Sequence, residues 1–162
     1  MMQIRFTNKV HREKELLEKF LYYAIFIPPH TAKPPLKIIH KPELERYIDD
    51  WGQLDDHAEF AILNERVVGV CWSRCFPEDS PGYGTLTSAI PELSIAVLPA
   101  YRSKGIGSQL LTRFLDKIKF IYPAISLSVS RKNPAVTLYK RYSFIIVNMT
   151  PDTLIMLRNF TQ

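Results

Sequence analysis

Two of the six glycines in the chain, Gly105 and Gly107, stand close together in AYRSKGIGSQLL, between a run that alternates like a strand and a run that repeats like a helix. Such a junction gathers unpaired backbone N–H groups at the positive end of a helix dipole, which makes it a ready site for an anion. Arg102 and Lys104 add positive charge to the same turn, and the missing side chains at 105 and 107 let oxygen atoms approach the backbone. Phosphate is the anion this combination suits, although a tight turn with solvated basic residues accounts for the same letters. Neither GxxxxGK[ST] nor GxGxxG occurs, so the two commonest nucleotide cradles are absent and ATP and NAD lose most of their support.

Other reactive residue types form no comparable constellation. His11, His30, His40 and His57 are scattered without a metal-binding spacing, so no metal is expected. Cys71 and Cys75 fall four apart in one strand-like run, which would separate their Cα atoms by about 13 Å, beyond disulfide reach. Free, buried thiols are expected there. The balance of 21 Lys+Arg against 16 Asp+Glu gives a formal charge of +5, which suits an anionic ligand. With no basic tail, zinc-finger spacing or RNP-type motif, nucleic acid is the weaker partner and none is expected.

These residues need a scaffold, and 162 residues with 46% hydrophobic and 23% charged composition suit one globular domain spanning 1–162. The longest apolar run, Phe20 to Ile27, is far shorter than the ~20 residues a bilayer requires. The N-terminus has no secretory pattern, so no membrane association and a cytoplasmic location are expected.

Met2 to Thr7 reads as a strand. A helix follows, with Leu16, Leu17, Phe20, Leu21 and Ala24 on one face. The proline-rich stretch Pro28 to Pro42 is expected to run extended over the surface. Pro42 then suits the first turn of a second helix with Leu44, Tyr47, Ile48 and Trp51 as its stripe. Ala58–Leu63 and Val67–Phe76 form a hairpin around Asn64–Glu65–Arg66, PEDSPGYGTLTSA a loop, and IPELSIAVL a fourth strand. The clearest helix is GSQLLTRFLDKIKF, buried through Leu110, Leu111, Phe114, Leu115 and Ile118. Ala124 to Ser130 is a strand, Asn133–Pro134 opens a helix through Tyr142, and FIIVNM and DTLIMLRN finish as strands. The order β α α β β β α β α β β is that of a mixed α/β domain.

At this point IPELSIAVLPAYRSKGIGSQLL resembles motif A of the GNAT superfamily of acetyl-CoA-dependent N-acetyltransferases, whose [RQ]xxGx[GA] signature is met by Arg102, Gly105 and Gly107. SVSRKNPAVTLYKRYSF resembles the family's second motif, NxxAxxLYxxxGF, in the expected order. The resemblance implies a mostly antiparallel central sheet splayed between strands 4 and 5, with helices on both faces. It implies acetyl-CoA as cosubstrate: the backbone of Ile95, Ala96 and Val97 would hold the pantetheine arm. The N–H groups of Ser103, Lys104, Gly105, Ile106, Gly107 and Ser108 would hold the pyrophosphate.

Asn133 matches the asparagine that contacts the cofactor arm, and also reads as a helix N-cap. Tyr139 matches the tyrosine that protonates the departing thiolate, and also reads as a packed aromatic. Glu92, on the fourth strand, is the nearest candidate for the base that deprotonates the amine, ahead of Glu59, Glu78 and Asp79, though a strand-start carboxylate is commonly just solvated. Tyr83 and the proline-rich segment are candidate walls of the acceptor pocket. The implied acceptor is a small-molecule, peptide or protein amine acetylated in a ternary complex, and dimers, frequent in that family, make a homodimer an implied partner. A CoA-binding regulatory module without turnover is the alternative. The chain departs from the pattern at Ser143, where the family has glycine, so the preceding helix is expected to close differently.

Overall fold

A computed structural model describes residues 3–161. Seven strands, β1 (Arg5–Thr7), β2 (His57–Leu63), β3 (Arg66–Arg74), β4 (Glu92–Val97), β5 (Ala124–Ser130), β6 (Ile145–Met149) and β7 (Thr153–Asn159), form one sheet in the order β1-β2-β3-β4-β5-β7-β6. Every neighbouring pair is antiparallel except β4 and β5, which are parallel. Strand β1 begins at Arg5, and Met2, where the sequence placed its start, lies outside the described residues.

The helices cover both faces because strand side chains alternate. On one face α3 (Ile106–Ile118) buries Ile106, Leu110, Leu111, Phe114, Leu115 and Ile118 against Cys71, Leu93, Ile125, Leu127 and Met156. At Gly69 of β3 an added Cβ would lie 3.0 Å from Leu110 Cδ1, so glycine lets α3 settle closely on the sheet. The short α4 (Ala135–Arg141) joins the same core through Tyr139. On the other face α1 (Glu13–Ala24) buries Leu17, Phe20 and Leu21 against Phe60, Val70, Trp72 and Ala96. The proline-rich stretch is not wholly extended, since Leu36–His40 forms a 3₁₀ turn that adds Ile39 to this core.

The hairpin turns at Asn64 and Glu65, both with positive φ (50° and 62°), the two-residue geometry whose twist matches the strands it joins. The second helix is much shorter than its stripe suggested: α2 covers only Pro42–Glu45. Tyr47 and Ile48 are buried as expected. The helix stops because Arg74 Nη1 takes the carbonyls of Arg46 (2.9 Å) and Asp49 (2.6 Å), acceptors a continuing helix would use, and Asp50 turns left-handed. Asp56 holds the same guanidinium through two 2.8 Å contacts.

Helix α4 closes with Ser143 at φ +67°: Ser143 N–H donates to Lys140 O and Phe144 N–H to Tyr139 O, both at 3.1 Å. This is the Schellman arrangement in which glycine normally occupies the left-handed position, so the departure at 143 changes the residue and not the closure. Ser143→Gly should therefore raise unfolding stability by about 1 kcal/mol, read as a higher midpoint in urea with unchanged slope; equal midpoints would show that Ser143 carries no strain.

Candidate active site

Strands β4 and β5 pair at one position only, Glu92 opposite Ser126, where Ser126 N–H donates to the Pro91 carbonyl at 3.0 Å. On its other edge β4 pairs with β3 along its whole length, and Leu98 N–H donates to Val68 O at 2.9 Å. Peptide groups alternate along a strand, so those of even-numbered β4 residues point at β3 and those of odd-numbered residues at β5. Past Leu93 the two strands part into a V, and the peptide groups of Ile95 and Val97 face the gap. Those of Ala96 are directed at Val70 instead, and its side chain is buried on the α1 face. Of the three residues singled out in the sequence, two present backbone to the V.

The open end of β4 leads into the glycine turn. Ser103 (φ +60°) and Gly105 (φ +81°) are left-handed, and Gly105 precedes α3. Buried Ile106 anchors the turn to the core. None of the N–H groups from Ser103 to Ser108 meets an acceptor among the described residues. A Cβ added at Gly107 would have nothing within 4 Å, and one at Gly105 would meet only Gln109 Nε2 at 4.0 Å. The glycines therefore do not accommodate a neighbouring part of the protein; they leave open space above a row of donors, as an anionic group would require. Lys104 is exposed beside them. Arg102 turns back, donating from Nε to Val97 O (2.9 Å) and from Nη2 to Tyr23 O (3.3 Å), so it ties the turn to β4 and to the end of α1.

Across the V, Asn133 Oδ1 accepts the Ala135 N–H at 2.9 Å, securing the start of α4 and leaving its amide NH₂ without a protein partner among the described residues. Tyr139 packs edge-on against Phe144 and is 7% exposed. Burial, with the Cys71 thiol nearby, raises its pKa and keeps it a neutral phenol. Its hydroxyl has no protein partner among the described residues yet is not sealed from solvent, since the sole fully enclosed, unpartnered side-chain polar atom there is Ser73 Oγ.

Glu92 sits at the apex of the V, on the face opposite α3, and is 3% exposed. Tyr47 Oη donates to its Oε2 at 2.5 Å, while Gly84 N–H (2.9 Å) and Thr85 Oγ1 (3.3 Å) donate to Oε1. Burial outweighs these three donors and pushes the carboxyl up to about 7. A carboxylate with that pKa changes protonation near neutral pH, which is where a general base is most effective. The loop carrying Gly84 lies directly on β5: a Cβ there would be 2.7 Å from the Leu127 carbonyl carbon, so only glycine fits. Tyr83 is 57% exposed and its ring stacks on Tyr47.

The rival carboxylates lie elsewhere. Glu59 is buried on the α3 face and paired with Lys117 at 2.8 Å, and Glu78 and Asp79 are exposed in the loop after β3. Both cysteines are free, Cys71 buried and Cys75 half-buried; burial raises both thiols, Cys75 to about 11. Among the described residues no group of three or more His, Cys, Asp or Glu side chains is placed to hold a metal, and no helix is long and apolar enough to cross a membrane.

In the sequence Tyr47 stands in an apolar helical stripe and gives no sign of its hydrogen bond to Glu92, and little marks the grip of the 82–85 segment on that carboxyl. The one signal available was the pair of glycines flanking Tyr83 in PGYGT.

A strand edge open to hydrogen bonding, continued by a donor-lined turn and ending at a buried carboxyl, has the shape and polarity that suit a long ligand with an anionic end. The family model for the acetyltransferase (GNAT) domain matches residues 56–146, more than half of the chain, and the protein belongs to that family of acetyltransferases. No curated protein matches it in sequence. Among solved structures it is similar to the PaiA N-acetyltransferase of Thermoplasma acidophilum in complex with coenzyme A, at 18% identity and TM-score 0.67 over 98% of this chain and 99% of that one. It is also similar to a GNAT-family acetyltransferase of Streptococcus pneumoniae (17% identity, TM-score 0.65, 97% and 99% covered). The ribosomal-protein-S18-alanine N-acetyltransferase of Escherichia coli shows the same fold at 14% identity and TM-score 0.66, with 99% and 96% covered.

Proposed function

We propose that the protein moves the acetyl group of acetyl-CoA directly to a primary amine while both substrates are bound, as a single cytoplasmic domain. The observation that carries this reading is the V, where the N–H and carbonyl of Ile95 and the N–H of Val97 stay open between the donor-lined turn and Glu92, the Val97 carbonyl being held by Arg102. Ile95 and Val97 hold the pantetheine arm as a neighbouring strand would be held, and the amides of Ser103 to Ser108 receive the pyrophosphate. The Asn133 amide NH₂ is available to the same arm.

Glu92 takes one proton from the acceptor ammonium through an intervening water, since its carboxyl is nearly sealed. The amine nitrogen then bonds to the thioester carbonyl carbon, the C–S bond breaks, and Tyr139 Oη gives its proton to the departing sulfur. The second proton lost by the amine restores Tyr139, so the sum is amide, free thiol and one proton released from Glu92. Alignment of amine and thioester supplies most of the acceleration, which is why few dedicated side chains are needed.

Tyr139→Phe keeps the ring against Phe144 and removes the donor. It should lower kcat by about 10²-fold or more with acetyl-CoA affinity unchanged, measured by thiol release and by calorimetric titration. Undiminished kcat would remove Tyr139 from the reaction.

A further inference from the structure

We infer that Tyr47 is the positioning residue of the acceptor half of the site, its one hydroxyl fixing both the Glu92 carboxyl and the loop that covers it. The hydroxyl donates to Glu92 Oε2 at 2.5 Å and accepts the Tyr83 N–H at 2.7 Å. Its ring lies edge-on to Phe76 and stacks on Tyr83, so the hydroxyl has little freedom to point elsewhere. The loop is fastened to the same carboxylate from the other side, through Gly84 N–H and Thr85 Oγ1 on Oε1. A Cβ on Gly82 would fall 2.5 Å from Glu92 Oε1 and 2.8 Å from Tyr47 Oη, so the loop backbone is pressed onto the pair. Base, tyrosine and loop are thus one hydrogen-bonded unit, and the inference rests on Glu92 being the base.

Among the described residues no other charged group makes a hydrogen bond or ion pair with Glu92. Arg74, its cross-strand partner on β3, is committed to Asp56 and to the carbonyls of Arg46 and Asp49. Ser126, opposite on β5, is buried with its hydroxyl toward Pro91 O. Glu43 and Arg46 lie near the exposed Tyr83 ring, and Arg46 Nη1 donates to the Pro81 carbonyl at 2.5 Å. Tyr47 Oη is therefore the one side-chain donor on Oε2 among the described residues, and it favours the ionised form.

Tyr47→Phe keeps the ring packing and removes only the hydroxyl. In protein labelled with ¹³C at glutamate carboxyls, the Glu92 signal, assigned by its loss in Glu92→Gln, should titrate about one pH unit higher in Tyr47→Phe than in the parent, a tenfold change in ionisation constant. The Tyr83 and Gly84 amides should also exchange faster with deuterium, because the loop has lost a fastening point. Both readouts need no acceptor. An unchanged Glu92 titration, or unchanged exchange at Tyr83, would overturn the inference while leaving Glu92 as base. Full turnover in Glu92→Gln would remove the base, and with it any catalytic meaning of the Tyr47 contact.

Discussion

Glu92→Gln should lower kcat/KM for the acceptor amine by about 10²–10⁴-fold at pH 8, the range a positioned general base supplies. Glutamine preserves the site: its carbonyl oxygen can still accept from Gly84 and Thr85, and its NH₂ faces the Tyr47 oxygen. In the parent enzyme kcat/KM should climb as pH rises through about 7, where Glu92 loses its proton. The variant should lack that limb.

Stability gives an independent check of the same group. The folded-state pKa is raised, so the native state binds the extra proton between about 4.5 and about 7 and the protein loses stability as pH rises through that window. The loss is on the order of 3 kcal/mol. Glu92→Gln should not show it, so its unfolding midpoint should overtake the parent's on going from pH 5 to pH 8. Parallel midpoints, together with an unaltered rate profile, would mean that Glu92 is an ordinary solvated carboxylate.

Gly107→Glu should abolish acetyl-CoA binding while leaving the fold at least as stable. Gly107 is the second residue of α3, and a side chain there points into open space. A carboxylate at a helix N-terminus is favourable by about 0.3–1 kcal/mol, and replacing a helical glycine gains about 0.5–1 kcal/mol. The same carboxylate puts negative charge where the donor row would meet the pyrophosphate. At a hundredfold over Kd, acetyl-CoA should stabilise the parent by about 2.7 kcal/mol, roughly 5–11 °C for a chain of this size. The variant should show no shift at all. A full shift in Gly107→Glu would place the anion somewhere other than this turn.

What could be read from the sequence was local in the chain. Gly105, Gly107 and the apolar face of α3 are neighbours in sequence and share one helix start, so their pattern carries its meaning without tertiary context. The Asn64–Glu65 hairpin turn is legible for the same reason. Residues set by distant partners were not. The stripe Leu44, Tyr47, Ile48 and Trp51 has helical spacing, but the helix is cut short by an arginine 25 to 28 residues away that claims its carbonyls. Tyr47 meets Glu92 across 45 residues, and no spacing within either segment encodes that hydrogen bond.

The backbone of the V shows the same division. Motif matching placed Ile95, Ala96 and Val97 together, and only the pairing of β4 with β3 separates the two that face the gap from the one that does not. Arg102 fits the signature by type, while its hydrogen bonds to Val97 and Tyr23 reveal a structural task that the motif does not express.

Acetyl transfer from acetyl-CoA to an amine is the central claim, and thiol release followed across a panel of small amines, polyamines and peptides, with mass analysis of the acceptor, tests it most directly. The account predicts release that depends on one class of amine, with one acetyl group gained by the acceptor for each thiol formed. Tight acetyl-CoA binding with no amine-dependent thiol release across the panel would contradict it, and would make the V a sensor for the cosubstrate and not a place of reaction.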